Sequence, residues 1–198
     1  MKKKAEERKD QVLKAAFQAV ANHGFDAVTL QHIADQAGVS KGVVHYYFQN
    51  KETILSQLLE SITAKIYEAE HRAITEKQTA IEKLNAYVHS VFLSPEKNKK
   101  FYRVYMDFLA QASRNPLYRE INYHFYENCW GIGCEIITLG KKEGTFSANL
   151  DVEKSAKMMR AMIDGCLIQW LMCGQDDLHD FYKQSCLESI STLLTSPE

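Results

Sequence analysis

Apolar residues along this chain recur at spacings of three and four rather than in alternation, and this pattern predicts helices. Leu13, Phe17 and Val20 form an apolar stripe that marks a first helix. Gly24 can end that helix by taking a left-handed conformation. Continued to the other end of the chain, the same pattern predicts an all-α fold of about nine helices.

Three further helices are predicted by side chains that can cap a first turn. Thr29 precedes a short second helix, and Gly38 provides the turn that follows it. Ser40 caps a third helix that ends near residue 47. Asn50 caps a fourth, longer helix whose apolar residues continue to about residue 62. The first part of the chain is therefore three short helices followed by a long connector.

Prolines, glycines and caps divide the remainder into five more helices. We expect these helices near 77–93, near 97–113, from Asn115-Pro116 to about residue 142, from Asp151 to Cys173, and from beyond the break at 174–177 to about residue 194. The pattern contains no internal repeat and no low-complexity segment.

Residues 28–48, VTLQHIADQAGVSKGVVHYYF, have the layout of a helix-turn-helix. Two capped helices are joined by a glycine turn, and the small side chains of Ala34 and Ala37 permit the helices to cross closely. Val39, Val44 and Phe48 supply an apolar face. Taken alone, this spacing also fits three helices that merely pack together.

Longer strings around this segment carry a family resemblance. Ala-Gly-Val-Ser-x-Gly at 37–42 and Tyr-Tyr-Phe-x-x-Lys-Glu at 46–52, together with Ala15-Ala16-Phe17 and Gly24-Phe25, resemble the N-terminal signature of the TetR family of bacterial regulators. The resemblance is dense over residues 12–55. It implies a helix-turn-helix DNA-binding domain over 1–54 and a helical effector-binding and dimerisation domain over 55–198.

The resemblance also implies that the third helix enters the major groove of double-stranded DNA. The DNA-binding residues that it implies are Thr29, Gln31, Ser40, Lys41, Gly42, Val43, His45, Tyr46, Tyr47 and Lys51. Lys41 is suited to guanine and Gln31 to adenine, with Gly42 beside them, while Val43 and His45 would touch a thymine methyl group or the backbone. Thr29, Tyr46, Tyr47 and Lys51 would hold phosphates.

Alternatives remain open at several of these positions. His45 stands where many family members have tyrosine and also fits a partly buried surface histidine. Tyr46 and Tyr47 also fit core packing. Because His45 and Gln31 depart from the pattern of other members, the operator sequence cannot be inferred.

Charge alone does not indicate DNA binding. Residues 1–52 carry eight Lys and Arg against six Asp and Glu, and the whole chain has a formal net charge of −1. Basic residues are nevertheless concentrated at the N-terminus, at Lys2, Lys3, Lys4, Arg8 and Lys9. A flexible arm with these residues could approach phosphates, although such runs are usually solvated tails.

Other function classes find little support. The five cysteines contain no CxxC pair and follow no secretory segment, which predicts reduced thiols in the cytoplasm. No apolar stretch is long enough to cross a membrane. Gly131-Ile132-Gly133 is too short for a dinucleotide fingerprint, and neither a catalytic motif nor metal-ligand spacing is present. We therefore expect no enzyme activity, no cofactor and no metal.

Aromatic residues are dense from Phe101 to Trp130. Such residues usually form a core, but the family resemblance implies a small-molecule effector in this body, and aromatic and methionine walls suit an apolar one. The expected ligand-binding residues are Tyr105, Phe108, Tyr126, Trp130, Met162 and Trp170.

The last two helices are amphipathic, and the resemblance implies that they form half of a four-helix interface in a homodimer. The string 164–169, DGCLIQ, weakly resembles the betaine-regulator subgroup. Asp164 could meet a cationic ligand, although an i,i+4 pair with Arg160 is simpler.

The sequence thus predicts a DNA-binding transcriptional regulator, most directly a repressor released from a palindromic operator by a small apolar effector. The alternatives are an activator, a ligand-independent regulator, or a helix-turn-helix used for protein-protein interaction.

Overall fold

The computed structural model describes the backbone of residues 2–195 and the side chains of residues 5–195. Its α-helices are α1 (Lys2–His23), α2 (Leu30–Ala37), α3 (Lys41–Tyr47), α4 (Lys51–Thr75), α5 (Ala80–Val91), α6 (Pro95–Ala112), α7 (Pro116–Glu143), α8 (Val152–Cys173) and α9 (His179–Thr195), with a 3-10 turn at Asp176–Leu178. No strand occurs over the described backbone. The all-α prediction is confirmed.

Caps and left-handed glycines set the helix ends near the N-terminus, as predicted. Gly24 has a φ of 79° and its N–H donates to the Val20 carbonyl. Thr29 Oγ1 accepts from the N–H of His32 at 3.1 Å, so α2 starts where the sequence placed it. Asn50 Oδ1 accepts from the N–H of Thr53 at 2.8 Å and caps α4.

Two helices in the middle of the chain are present as predicted, but their starts lie two or three residues from the predicted positions. α5 begins at Ala80 rather than near 77, because Thr79 and Glu82 form a reciprocal capping box. α6 begins at Pro95 rather than near 97, with the Ser94 hydroxyl accepting from the N–H of Lys97. Proline is favoured at the first position of a helix, where its missing N–H costs nothing.

The buried face of α1 also differs from the predicted stripe. Val20 is buried, but Leu13 and Phe17 are only half-buried. The buried positions of α1 are Val12, Ala15, Ala16, Ala19 and Val20. α1 packs against α2, and small side chains let two helix backbones approach closely, so the alanines face inward.

The chain forms two compact units, and the first contains the chain up to Lys65 together with Lys100–His124. Phe25, in the turn after α1, packs edge-on against Phe108 and Tyr118. Its N–H donates to Asp107 Oδ2 at 3.0 Å. These contacts join α6 and the start of α7 to the helices of the predicted head. The expected functional boundary between residues 54 and 55 stays a prediction.

The second unit contains Ile66–Lys99 and the described chain from Phe125 to Thr195, and in it α8 packs against α9. After α7 the chain turns at Gly144, with a φ of 74°, and Phe146 packs on Gly140. The N–H of Ser147 then donates to the Leu194 carbonyl at 2.9 Å, which ties this loop to the end of α9. The five cysteines carry free thiols. Over the described residues, no helix has the length and apolar character needed to cross a membrane.

Candidate nucleic-acid interface and effector body

The helix-turn-helix is held from inside by small and apolar side chains. Ile33 and Ala34 of α2 are fully buried, as is Val44 of α3. Gly38 has a φ of 65° and forms the turn, and the N–H of Val39 donates to the Ala34 carbonyl at 3.1 Å. This packing uses one side of α3 and leaves the opposite side at the surface.

The outer side of α3 presents the residues expected to meet DNA. Lys41, Gly42 and His45 are exposed, and Tyr46 is 82% exposed. Tyr47 is half-buried, with its ring 4.9 Å from that of Tyr46 in an edge-on arrangement. Core packing therefore does not account for Tyr46.

Gly42 is a glycine that the fold does not require. A Cβ at this position would meet the Ser40 hydroxyl at 3.7 Å, which is an ordinary contact, and the backbone is helical. Glycine is a poorer helix former than alanine. The absence of a side chain instead leaves room for an outside partner to approach the α3 backbone.

An open groove of about 610 Å³ runs along this surface. Its lining consists of Arg8, Gly38, Val39, Ser40, Gly42, Val43, Tyr46 and Tyr47. Five of the ten residues predicted to bind DNA therefore line one concavity, namely Ser40, Gly42, Val43, Tyr46 and Tyr47.

The predicted contacts on α2 are already engaged within the chain. Thr29 uses its hydroxyl oxygen as the α2 cap. Gln31 is exposed, and its Nε2 donates to Asp35 Oδ1 at 2.7 Å. Reading adenine with both atoms of the amide needs one N–H to donate to N7 and the oxygen to accept from N6, and the second N–H of Nε2 can keep the bond to Asp35.

Lys51 fixes the turn after α1. Its Nζ donates to the Asp26 carbonyl at 2.7 Å and lies 5.8 Å from the centre of the Phe25 ring. Burial lowers the pKa of the Lys51 ammonium, and the negative charge of Asp26 opposes that shift. A phosphate contact at Lys51 stays a prediction.

The N-terminal basic cluster lies on α1, whose backbone is helical from Lys2, so the expected flexible arm is not formed there. The side chains of Lys2, Lys3 and Lys4 lie outside the described residues. Lys9 is exposed and Arg8 is half-buried.

The five aromatic residues among the six expected to bind an effector lie in several ring clusters. On α7, Tyr126 and Trp130 stack with ring centres 6.1 Å apart, and both are half-buried, as is Met162. Tyr105 is buried and stacks on Phe101. Phe108 belongs to the cluster around Phe25.

Trp170 is also buried, but in a cluster at the end of α8. Its ring lies 4.6 Å from that of His179, and its Nε1 donates to the Gln175 carbonyl at 3.0 Å. Both the ring and the indole N–H of Trp170 thus have partners within the chain. A ligand role for these residues stays a prediction.

A buried charge cluster in the second unit was missed by sequence reasoning. Arg160 Nη1 donates to Glu70 Oε1 at 3.1 Å and to the Tyr87 hydroxyl at 3.3 Å. The predicted i,i+4 pair is present as well, with Arg160 Nε 3.1 Å from Asp164 Oδ1. Burial raises the pKa of the Glu70 carboxyl, and the Arg160 guanidinium opposes this shift. In the sequence, this cluster could have been suspected from the position of Arg160 among the apolar residues of α8.

The described side chains contain no group of three or more His, Cys, Asp or Glu residues arranged to hold a metal ion.

Two family profiles match the chain. The profile described as "Bacterial regulatory proteins, tetR family" matches residues 12–58, and "BetI-type transcriptional repressor, C-terminal" matches residues 80–195. The first covers the helix-turn-helix and the second covers more than half of the chain.

Individual proteins match over almost the whole length. The fatty acid metabolism regulator protein of Bacillus subtilis (strain 168) is 30% identical over 188 residues, which are 94% of this chain and 93% of that protein. The crystal structure of the transcriptional regulator FadR from Bacillus subtilis in complex with stearoyl-CoA has a TM-score of 0.74 at 27% identity, covering 92% of this chain and 97% of that one.

A TetR transcription regulator from Haloarcula marismortui ATCC 43049 has a TM-score of 0.86 at 20% identity and covers 96% of this chain and 100% of that one. At this level of identity the likeness shows the fold.

Proposed function

Because this chain belongs to the TetR family of bacterial regulatory proteins, we propose that it is a repressor released from a palindromic operator by a small effector with a long apolar part. One observation carries the DNA-binding part. Lys41, Gly42, His45 and Tyr46 are exposed on a short helix that buried Val44 anchors, within the segment matched by the family. In this role the chain carries out no catalytic step.

In this proposal the outer side of α3 enters the major groove. Lys41 donates to guanine O6 and N7, and Gln31 reads adenine with its amide oxygen and with the N–H that is not bonded to Asp35. Val43 and His45 lie against a thymine methyl group or the backbone.

The backbone contacts in the proposal set the register without reading sequence. Phosphates are held by Thr29, Tyr46, Tyr47 and Lys51. Ser40, which caps α3, lies on the same surface. The missing side chain of Gly42 allows the DNA to approach closely.

The class of effector is proposed from a relative and from the composition of the body. The Bacillus subtilis FadR structure contains stearoyl-CoA, and the fatty acid metabolism regulator of that organism is 30% identical to this chain. We therefore propose a long-chain acyl-CoA or a molecule of similar shape. Its apolar chain would lie against residues from the predicted set of Tyr105, Phe108, Tyr126, Trp130, Met162 and Trp170.

A palindromic operator requires two copies of the chain, and we propose that they meet through α8 and α9. Met158 and Met172 of α8 are 48% and 66% exposed, and Phe181 of α9 is 61% exposed. Large apolar side chains at the surface of two packed helices favour association with another copy. Light scattering at micromolar concentration tests this point, and a monomer would contradict it.

The test of the DNA-binding proposal is selection of bound fragments from random duplex DNA by the full-length protein. We expect an inverted repeat with half-sites about one helical turn apart, roughly 34–36 Å. The affinity for the recovered fragment should fall steeply as salt is raised, because phosphate contacts release counterions. Failure to enrich any sequence would contradict the proposal, and enrichment of fragments without two-fold symmetry would contradict the dimeric operator.

A further inference from the structure

Arg8 of α1 is held by a chain of hydrogen bonds that ends at the helix-turn-helix. Its Nη1 donates to Gln11 Oε1 at 2.7 Å, and Gln11 Nε2 donates to the carbonyl of Ala37 at 2.9 Å. Ala37 is the last residue of α2 and directly precedes the Gly38 turn. The position of the Arg8 side chain is therefore fixed relative to the turn that leads into α3.

Arg8 also lines the groove along the outer side of α3. The rest of that lining consists of glycines, valines, a serine and two tyrosines, so Arg8 is its only cationic residue among the described side chains. An open groove whose lining includes a guanidinium can accept a phosphate of a DNA strand.

The charge of Arg8 is not neutralised in the way that its neighbours' charges are. Its partner Gln11 is a neutral amide. Lys14, two turns further along α1, pairs with Asp10 at 2.7 Å, and Lys65 pairs with the same carboxylate at 2.9 Å. Arg8 thus has no carboxylate partner among the described side chains, and the guanidinium N–H groups that are not bonded to Gln11 can donate to an oxyanion.

We propose that Arg8 binds a phosphate of the operator backbone beside α3, and that Gln11 is the residue that positions it. This inference rests on the proposed DNA-binding function and adds a contact from α1. A guanidinium donates two parallel hydrogen bonds to a phosphate, and fixing it in advance reduces the entropy lost on binding. The contact reads no base, so it strengthens binding to every sequence alike.

The experiment measures dissociation constants by fluorescence anisotropy for full-length protein on the duplex selected by the wild type and on a scrambled duplex. Arg8→Ala is compared with Lys14→Ala, which removes the same charge from the same helix outside the groove. Each protein is measured between about 50 and 200 mM salt. Circular dichroism and thermal unfolding establish that each variant is folded.

We expect Arg8→Ala to weaken binding to both duplexes by about tenfold for each protomer bound, which is the size of one charge-assisted hydrogen bond. The slope of log affinity against log salt should fall by about 1 per protomer. Lys14→Ala should change affinity less than about twofold because its charge is already paired.

Gln11 is tested by a double-mutant cycle with Arg8. If Gln11 acts through Arg8, Gln11→Ala weakens binding by the wild type and has no further effect in the Arg8→Ala background. A purely structural role for Gln11 would weaken both backgrounds equally and would overturn the positioning assignment.

The possible failures are distinguishable. If Arg8→Ala matches Lys14→Ala in affinity and salt slope while Lys41→Ala still weakens binding, the Arg8 contact is wrong and the DNA-binding function stands. If the wild type selects no duplex, both proposals are wrong.

Discussion

Arg160 of α8 and Glu70 of α4 form an ion pair at 3.1 Å in which the arginine side chain is 5% exposed and the glutamate side chain 1%. Asp164 Oδ1 lies equally near on the other side, so two carboxylates share one guanidinium. The Nε atom of Arg160 is buried without a well-directed hydrogen bond. Breaking such a pair is costly because the remaining charge stays buried without compensation.

Replacing Arg160 alone should therefore destabilise the protein strongly. We expect Arg160→Met to lower the free energy of unfolding by about 3–5 kcal/mol, and Arg160→Met combined with Glu70→Leu to cost less than the single change. Lys65→Met, which breaks an exposed pair with Asp10, should cost about 0–1 kcal/mol and serves as the control. Urea denaturation measures these differences. A double variant less stable than Arg160→Met would contradict this account.

His179 should make stability depend on pH. The ring is buried against Trp170, and its Nε2 donates to Asn98 Oδ1 at 2.9 Å. Burial lowers the pKa of His179 below 6.5, while Asp180 opposes the shift and Lys183 adds to it. The unfolded chain then binds the proton more readily, so the contribution of His179 is present above pH 6.5 and is lost as pH falls through the lowered value.

His179→Gln keeps a donor for Asn98 and removes this titration. We expect wild-type stability to fall more than that of the variant between pH 7.5 and pH 5.5, measured by urea denaturation at each pH. Parallel pH profiles for the two proteins would show that His179 does not contribute to the decline.

Two glycines of α7 should respond oppositely to the same substitution. A Cβ at Gly140 would lie 2.0 Å from the Phe146 ring, whereas one at Gly131 would meet nothing within 4 Å. Gly140→Ala should lower the free energy of unfolding by about 1–3 kcal/mol through overpacking. Gly131→Ala should raise it by about 0.4–1 kcal/mol, because alanine has less freedom to lose on folding. Thermal unfolding tests both, and an equal effect of the two changes would contradict the packing argument.

Local signals made the head predictable from the sequence, and long-range contacts were not predictable in the same way. The starts of α2 and α3 follow from Thr29 and Ser40, whose side chains bond to backbone atoms three residues away. Asp164 and Arg160 were paired correctly because they lie one helical turn apart.

The bond between Glu70 and Arg160 joins residues 90 positions apart and depends on how α4 packs on α8. No local pattern contains that information. The chain of hydrogen bonds from Arg8 through Gln11 to Ala37 was missed for the same reason, since it depends on the packing of α1 against α2.

Lys41 and Tyr47 should affect DNA binding in different ways. Lys41→Ala should cost about 1–3 kcal/mol on the selected operator and relax the preference at one base pair, because it removes a contact to a base edge. Tyr47→Phe should weaken binding to matched and mismatched duplexes equally, because it removes a phosphate contact. Competition binding with single-base operator variants measures both. Equal losses across all duplexes for both variants would contradict the assignment of Lys41 to a base.

The proposed effector should weaken operator binding, and the operator should weaken effector binding by the same factor. In a dimer, an effector can change the distance between the two DNA-binding heads only if it binds one arrangement of the heads more tightly than the other. The size of its effect is limited by that difference in affinity. With typical coupling energies of about 1–3 kcal/mol, the change in affinity is roughly five- to 150-fold.

We would titrate stearoyl-CoA into the protein with and without saturating operator, using acetyl-CoA as a control that has the same polar group and lacks the long chain. We expect tighter binding of stearoyl-CoA without the operator, together with weak binding of acetyl-CoA in both cases. The operator titration with and without stearoyl-CoA must give the same ratio, because linkage between two binding sites is reciprocal. Identical stearoyl-CoA affinities with and without DNA would show that this ligand, even if it binds, does not release the protein from its operator.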